Sequence, residues 1–243
     1  MEIEGFQTVD SIPGLYHPEL ELIVISDLHL GLEGSMTFDG NYVPKHQLEK
    51  LLKDIEKMKE ETDASRIIVN GDLKNEFKTR YSETDEIENF LGFLDREFEE
   101  IILIEGNHDT FLEETVEDYG LELQEYHLED DILFTHGHLE LEELEAESFE
   151  TVVIGHEHPA LALEDEIGIR EKVACFLYGD MEDKRILVLP AFSSISNGTN
   201  VNETPQSQLL SPIMRDHVNK NKLKAVAVSR EAGIFKFPEI GKI

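Results

Sequence analysis

Ile23-Val24-Ile25-Ser26-Asp27-Leu28-His29-Leu30-Gly31 is a β-branched apolar run that ends in an acid and a histidine two positions apart. The apolar part reads as a buried strand. Side chains two apart in an extended chain point the same way, so Asp27 and His29 are expected to leave the strand end aimed at one spot. A carboxylate oxygen and an imidazole nitrogen converging there make half of a divalent-metal site.

The chain downstream repeats the pattern. From Lys45 to Glu60 the apolar positions Leu48, Leu51, Leu52, Ile55 and Met58 recur at helical spacing. Arg66 to Asn70 reads as a second strand and is followed at once by Gly71-Asp72. A second helix over Glu83 to Phe98 leads to a strand over Ile101–Ile104 and then Gly106-Asn107-His108-Asp109. This β-α-β-α-β order predicts parallel pairing with helices on the sheet faces. It places each polar motif just past a strand C-terminus, where open α/β sheets put ligands. Short strands over 132–135 and 152–154 precede His136-Gly137-His138 and Gly155-His156-Glu157-His158. Strands over 172–178 and 186–189 are expected to be antiparallel, and 223–228 with 233–237 to form a closing hairpin. The polar stretch Ser193 to Asn221 reads either as a partly ordered surface excursion or as a functional loop. No linker divides the chain, so residues 1–243 are expected to form a single domain with two packed sheets.

Composition limits the setting. The 53 acids outnumber 21 bases, for a net charge of −32. Such acidity suits a solvated surface in high salt and points to a halophilic source, whereas electrostatic steering towards nucleic acid would call for the opposite sign. One cysteine, Cys175, precludes an intrachain disulfide and fits a reducing cytoplasm. No run of about 18 apolar residues is present to span a membrane, and the N-terminus lacks the pattern of a signal peptide.

Six of the ten histidines fall in the five strand-end motifs. Any one motif reads as an ordinary turn, but five in succession with the same ligand types read as a joint site. Mixed Asp, Asn and His donors suit Mn, Fe, Zn or Ni better than magnesium alone, and about seven of them exceed what one tetrahedral zinc takes.

The order D-x-H, G-D, G-N-H-D, H and G-H-x-H resembles the calcineurin-like metallophosphoesterases. More narrowly, Gly71-Asp72-Leu73-Lys74-Asn75-Glu76-Phe77 and Leu189-Pro190-Ala191-Phe192 make it similar to archaeal phosphoesterases related to double-strand-break repair nucleases and to the bacterial ligase-associated endonucleases. The resemblance implies an α/β four-layer sandwich, two mixed β-sheets flanked by helices. It implies two divalent ions, Mn²⁺ first with Fe, Zn or Ni as alternatives. Asp27, His29 and His158 would hold one ion, Asn107, His136 and His156 the other, and Asp72 would bridge them. His138 competes with His136, which is favoured because it directly follows its strand. His108 would act on the substrate phosphate without binding metal, and Asp109 would orient neighbours.

The expected activity is hydrolysis of phosphodiesters by metal-activated water, on DNA or RNA, with DNA repair as one setting. A phosphoesterase for a small nucleotide or cyclic diester is the alternative. A non-catalytic scaffold is the second alternative, and it would show eroded motifs, which this chain does not. Lys74, Lys78 and Arg80 form a small basic group after Asp72, and residues 200–243 carry seven bases against four acids. Either segment is expected to face phosphate or else to pair with local carboxylates.

Overall fold

The structure is a computed structural model that describes residues 1–243 apart from 39, 42, 43, 76–80, 145, 147, 165 and 166. Strands buried on both faces build its first half. In β4 (Leu22–Ile25), Leu22 and Val24 face one side while Ile23 and Ile25 face the other, and every one of them is buried. A strand buried on both faces carries an unbroken apolar run rather than an alternating one, which is how the quoted stretch reads.

The first sheet runs β1 (Glu2–Ile3), β2 (Phe6–Thr8), β3 (Leu15–His17), β4, β5 (Arg66–Asn70), β6 (Glu100–Ile104) and β7 (Leu123–Gln124) in spatial order. It is antiparallel from β1 to β4 and parallel from β4 to β7. The parallel steps are crossed by α1 (Leu32–Phe38), α2 (Gln47–Glu60), α3 (Tyr81–Glu97) and α4 (Glu113–Glu117). Leu51, Ile55 and Met58 of α2 and Ile87, Phe90, Leu91 and Leu94 of α3 pack on the outer face of this sheet.

The second sheet comprises β8 (Tyr126–Glu129), β9 (Ile132–Thr135), β10 (Thr151–Ile154), β11 (Pro159–Glu164), β12 (Arg170–Met181), β13 (Lys184–Val188), β14 (Thr199–Asn200), β15 (Lys224–Ser229) and β16 (Gly233–Glu239). Its order is β14-β11-β12-β13-β10-β9-β8, with β15 added on β12 and β16 on β15. Ile213 and Met214 of α5 (Pro212–Asp216) pack on its outer face. Between the sheets, Leu22, Val24, Ile68 and Ile102 meet Phe134, Val153, Phe176 and Leu187. The result is the four-layer α/β sandwich of two mixed sheets expected from the sequence.

Two details differ from the sequence reading. β13, expected to be antiparallel, pairs antiparallel with β12 but parallel with β10, which itself runs parallel to β9. The segment after His29, where Gly31, Gly34 and Gly40 predict a loop that ends at Pro44, contains α1. That helix holds the buried Glu33 carboxylate where it accepts the backbone N–H groups of His46 at 3.0 Å and Gln47 at 3.1 Å, capping α2 from a distance. Seven residues with a glycine at the third position carry too little periodicity to announce a helix. No helix among the described residues is long and apolar enough to cross a membrane.

Candidate metal centre

Five strands of the two sheets deliver the site: β4, β5, β6, β9 and β10 each end one or two residues before a motif. The premise that Asp27 and His29 converge because the chain is extended does not hold. β4 stops at Ile25, and Asp27 and His29 have φ of 58° and 48°, in the left-handed region. Their backbone instead runs beside the loop after β5. Asp27 N–H donates to Gly71 O, and His29 N–H to Asp72 O, both at 3.0 Å. Asp72, His156 and His158 share this conformation, with φ of 51°, 63° and 44°. Each such non-glycine residue costs of order 1–3 kcal/mol, a strain that clusters where function holds the backbone.

Two clusters result. Donor atoms of Asp27, His29, Asp72 and His158 lie within 4.8 Å of one another, as do those of Asp72, His136 and His156. Asp72 belongs to both. Its Oδ2 lies 3.4 Å from His136 Nε2, 3.8 Å from His29 Nε2 and 3.9 Å from His108 Nε2. Asp27 Oδ1 is 2.8 Å from His158 Nε2. Both carboxylates are buried, as is His136, while His158 is largely covered. Asn107 Oδ1 and His136 Nε2 are enclosed without a hydrogen bond of good geometry. Of the two histidines that compete in the fourth motif, the cluster gathers His136. The His138 ring stands 5.4 Å from that of His136 with its Nδ1 buried and unpaired.

The donor set fits divalent cations. Burial drives the His29 imidazole down to about 4 and that of His156 to about 3, so both present lone pairs at neutral pH. Burial works against the charged forms of Asp27 and Asp72 too, but the facing histidines keep both carboxyls below their ordinary range. In return Asp72 and Asp27 overcome the burial of His136 and lift it to about 9. The anionic pair thus attracts positive charge strongly, which is what a cation would supply in place of protons. Orientation is fixed from outside. His136 Nδ1 meets Asn70 O at 3.0 Å and His158 Nδ1 meets Ser196 Oγ at 3.2 Å, so each ring turns Nε2 into the site.

The remaining motif residues frame the clusters. His108 N–H donates to Asp72 Oδ1 at 2.9 Å and its Nδ1 faces Asn75 O at 2.6 Å. Its ring is partly open to solvent and stands edge-on to His29. Asp109 is wholly buried. Its carboxyl, pushed up to about 7 by burial and by Asp72, accepts Gly106 N–H at 2.8 Å and Lys74 N–H at 3.2 Å. It therefore joins the loops that follow β5 and β6.

Lys74 lies under the surface in a parallel bridge with Leu30, with no exposed area. Lys78 and Arg80 lie outside the described residues. Several bases of the 200–243 segment pair internally. Arg230 binds Asp54 at 2.7 Å, Arg215 donates to Leu210 O at 3.0 Å, and Lys220 donates to Val201 O at 2.7 Å.

Sequence reasoning missed three supports. Asn70 ends β5 and donates across to Thr135 O at 2.9 Å, tying the two sheets directly beneath the site. A single amide at the end of a buried apolar run was its signal. Glu157, between two histidines, is buried, and its Oε2 accepts the N–H groups of Leu210 at 2.8 Å and Ser211 at 3.0 Å. With Ser196 on His158 and Ser193 N–H on Asp27 O at 3.2 Å, the 193–211 segment is a strap over the ligand loops.

Two mixed sheets with flanking helices, and paired Asp/His clusters sharing one carboxylate at the strand ends, define a metal-dependent phosphoesterase. A family model for calcineurin-like phosphoesterases matches residues 20–226, and the chain belongs to that dinuclear-metal family. A search of curated protein sequences finds no match. Among solved structures, the fold is similar to that of the nuclease MPE from Pseudomonas putida, with a TM-score of 0.67, 18% identity and 98% of each chain covered. A protein of unknown function from Aquifex aeolicus is matched at a TM-score of 0.39 and 18% identity, over 56% of this chain and 78% of that one.

Proposed function

We propose that this chain, acting as one unit over residues 1–243, hydrolyses phosphodiester bonds in nucleic acid. The observation that carries the reading is Asp72, whose carboxylate belongs to both donor clusters while its Oδ1 fixes the backbone of His108. Asp27, His29 and His158 would hold one ion, and Asn107, His136 and His156 the other, with Asp72 between them. Mn²⁺ is the ion this Asp, Asn and His mixture suits first. Two such cations supply Lewis-acid polarisation of the phosphoryl group and hydroxide at neutral pH.

The protein's own part falls to His108. With Nδ1–H donated to Asn75 O, its Nε2 is the nitrogen left to face a phosphate lying over Asp72. In its protonated form it hydrogen-bonds a phosphoryl oxygen or gives its proton to the leaving oxygen, a role worth about 10²–10⁴-fold. His108→Ala is expected to retain two ions by elemental analysis and to lose turnover by that factor. Loss of an ion together with activity would place His108 among the ligands instead.

Nucleic acid as substrate is supported by the likeness in fold, over nearly the whole chain, to a nuclease. The opposing consideration is the net charge of −32, and the internally paired bases of the last segment favour a small nucleotide or cyclic diester as the second reading. The deciding assay loads the protein with Mn²⁺ in high salt and offers single-stranded DNA, duplex DNA and bis-p-nitrophenyl phosphate. Cleavage of the small diester alone would transfer the case to the second reading.

A further inference from the structure

A cavity of about 330 Å³ opens beside the first cluster and has His158 in its wall. More than one residue in five of this chain is acidic, yet none of the residues lining this cavity is. The lining offers donors instead: the hydroxyls of Ser193 and Ser196, the amide of Asn197, and the cations Lys172 and Arg230. Arg230 is compensated, since its Nε and Nη2 meet Asp54 Oδ2 at 2.9 and 2.7 Å. Lys172 is exposed and its ammonium leans on the carbonyl of Gly198, a neutral acceptor. A wall with a surplus of donors and a net positive charge, in a protein of −32, selects an anion.

The cavity is also tied to the metal centre. Ser196 lines it and at the same time orients His158 through Nδ1 at 3.2 Å. Ser193, on its wall, holds Asp27 O through its N–H at 3.2 Å and takes the Gln47 side-chain amide on its hydroxyl at 3.0 Å. An anion seated there therefore lies one side chain away from a group bound at the Asp27–His29–His158 cluster.

We propose that this cavity is a second phosphate subsite, which takes the phosphate neighbouring the scissile diester and reads it through Lys172. The proposal rests on the phosphodiesterase reading and narrows it to substrates that carry two phosphate groups, whether a nucleic-acid strand or a terminally phosphorylated nucleotide. Lys172 touches none of the cluster residues, so its role separates from metal binding.

The test is calorimetric titration of the Mn²⁺-loaded protein with thymidine 3′,5′-bisphosphate and with thymidine 5′-monophosphate, for the wild type and Lys172→Met. The wild type is expected to bind the bisphosphate at least about tenfold tighter, and Lys172→Met to bind the two alike while turning over bis-p-nitrophenyl phosphate at the wild-type rate. Equal affinities in the wild type, or a preference that survives Lys172→Met, overturns the subsite. A wild type that hydrolyses no diester defeats the phosphodiesterase reading separately, and the affinity ratio still decides the cavity.

Discussion

Backbone contact governs the site at the scale of single residues. A Cβ built on Gly155 would stand 1.9 Å from Ser26 Oγ and 2.6 Å from Asp27 Oδ2. One on Gly106 would stand 2.2 Å from both the backbone N and Oδ1 of Asp72. These motif glycines thus exist for close approach of one ligand loop to another, since no side chain fits between. Gly155→Ala is expected to lower thermal stability by an overpacking cost of about 1–3 kcal/mol and to push Asp27 off its position. Equilibrium dialysis should then find fewer than two tightly held Mn²⁺ ions per chain, and an unchanged stoichiometry with unchanged melting would show that Ser26 and Asp27 can yield. The five left-handed motif residues Asp27, His29, Asp72, His156 and His158 argue the same way: their conformation is held by neighbouring loops, not by local preference.

β5 is the element on which both sheets depend. Its last residue, Asn70, reaches the second sheet at Thr135 O, accepts Ser26 Oγ–H on its carbonyl at 2.8 Å and meets His136 Nδ1 on the same atom. Its first residue, Arg66, forks onto Glu129 of β8 at 2.7 and 2.9 Å and onto Glu100 of β6 at 2.5 Å. The strand is therefore stapled across the sheets at both ends, with Ile68 packed between them. The Arg66 hydrogen bond holds the Glu129 carboxyl below its ordinary 4.5. A carboxyl depressed on folding stabilises above its unfolded value and loses that contribution as pH falls through the folded one. Glu129→Gln should accordingly lower the melting temperature of the metal-free protein at pH 7, with the gap to wild type closing below about pH 4.5. A gap constant down to pH 3 would mean that shape, not charge, joins Arg66 to this position.

The charge of −32 acts over the whole molecule. Self-repulsion among surface carboxylates opposes the compact state, and salt screens it, the Debye length falling from about 30 Å at 0.01 M to about 3 Å at 1 M. Raising NaCl from 0.01 to 1 M should raise the melting temperature progressively. The same change should leave the relative order of the Gly155→Ala and wild-type proteins intact, because their difference is steric. A melting temperature that is flat or falls with salt would show the acids to be compensated in place by the ion pairs already present.

Much of this was open to reading along the chain, and the boundary is physical. A run such as Ile23 to Ile25 announces a strand buried on both faces, and α2 and α3 announce themselves through their apolar spacing. The five strand-end motifs announce a joint metal site because ligand type and order are properties of the chain itself. What the chain could not state is how those ends meet. Asp27 and His29 converge through left-handed turns pinned to the β5 loop, not through strand alternation. The 193–211 strap, Glu157 and Ser196 act across more than thirty residues of sequence, through hydrogen bonds that exist only once both sheets are packed. Lys74 shows the converse, a charge that composition places at the surface and packing encloses. Local periodicity and ligand identity were therefore written in the sequence. Which carboxylate is shared, which histidine faces in and which cation meets solvent depended on contacts between distant segments, and only the tertiary structure decided them.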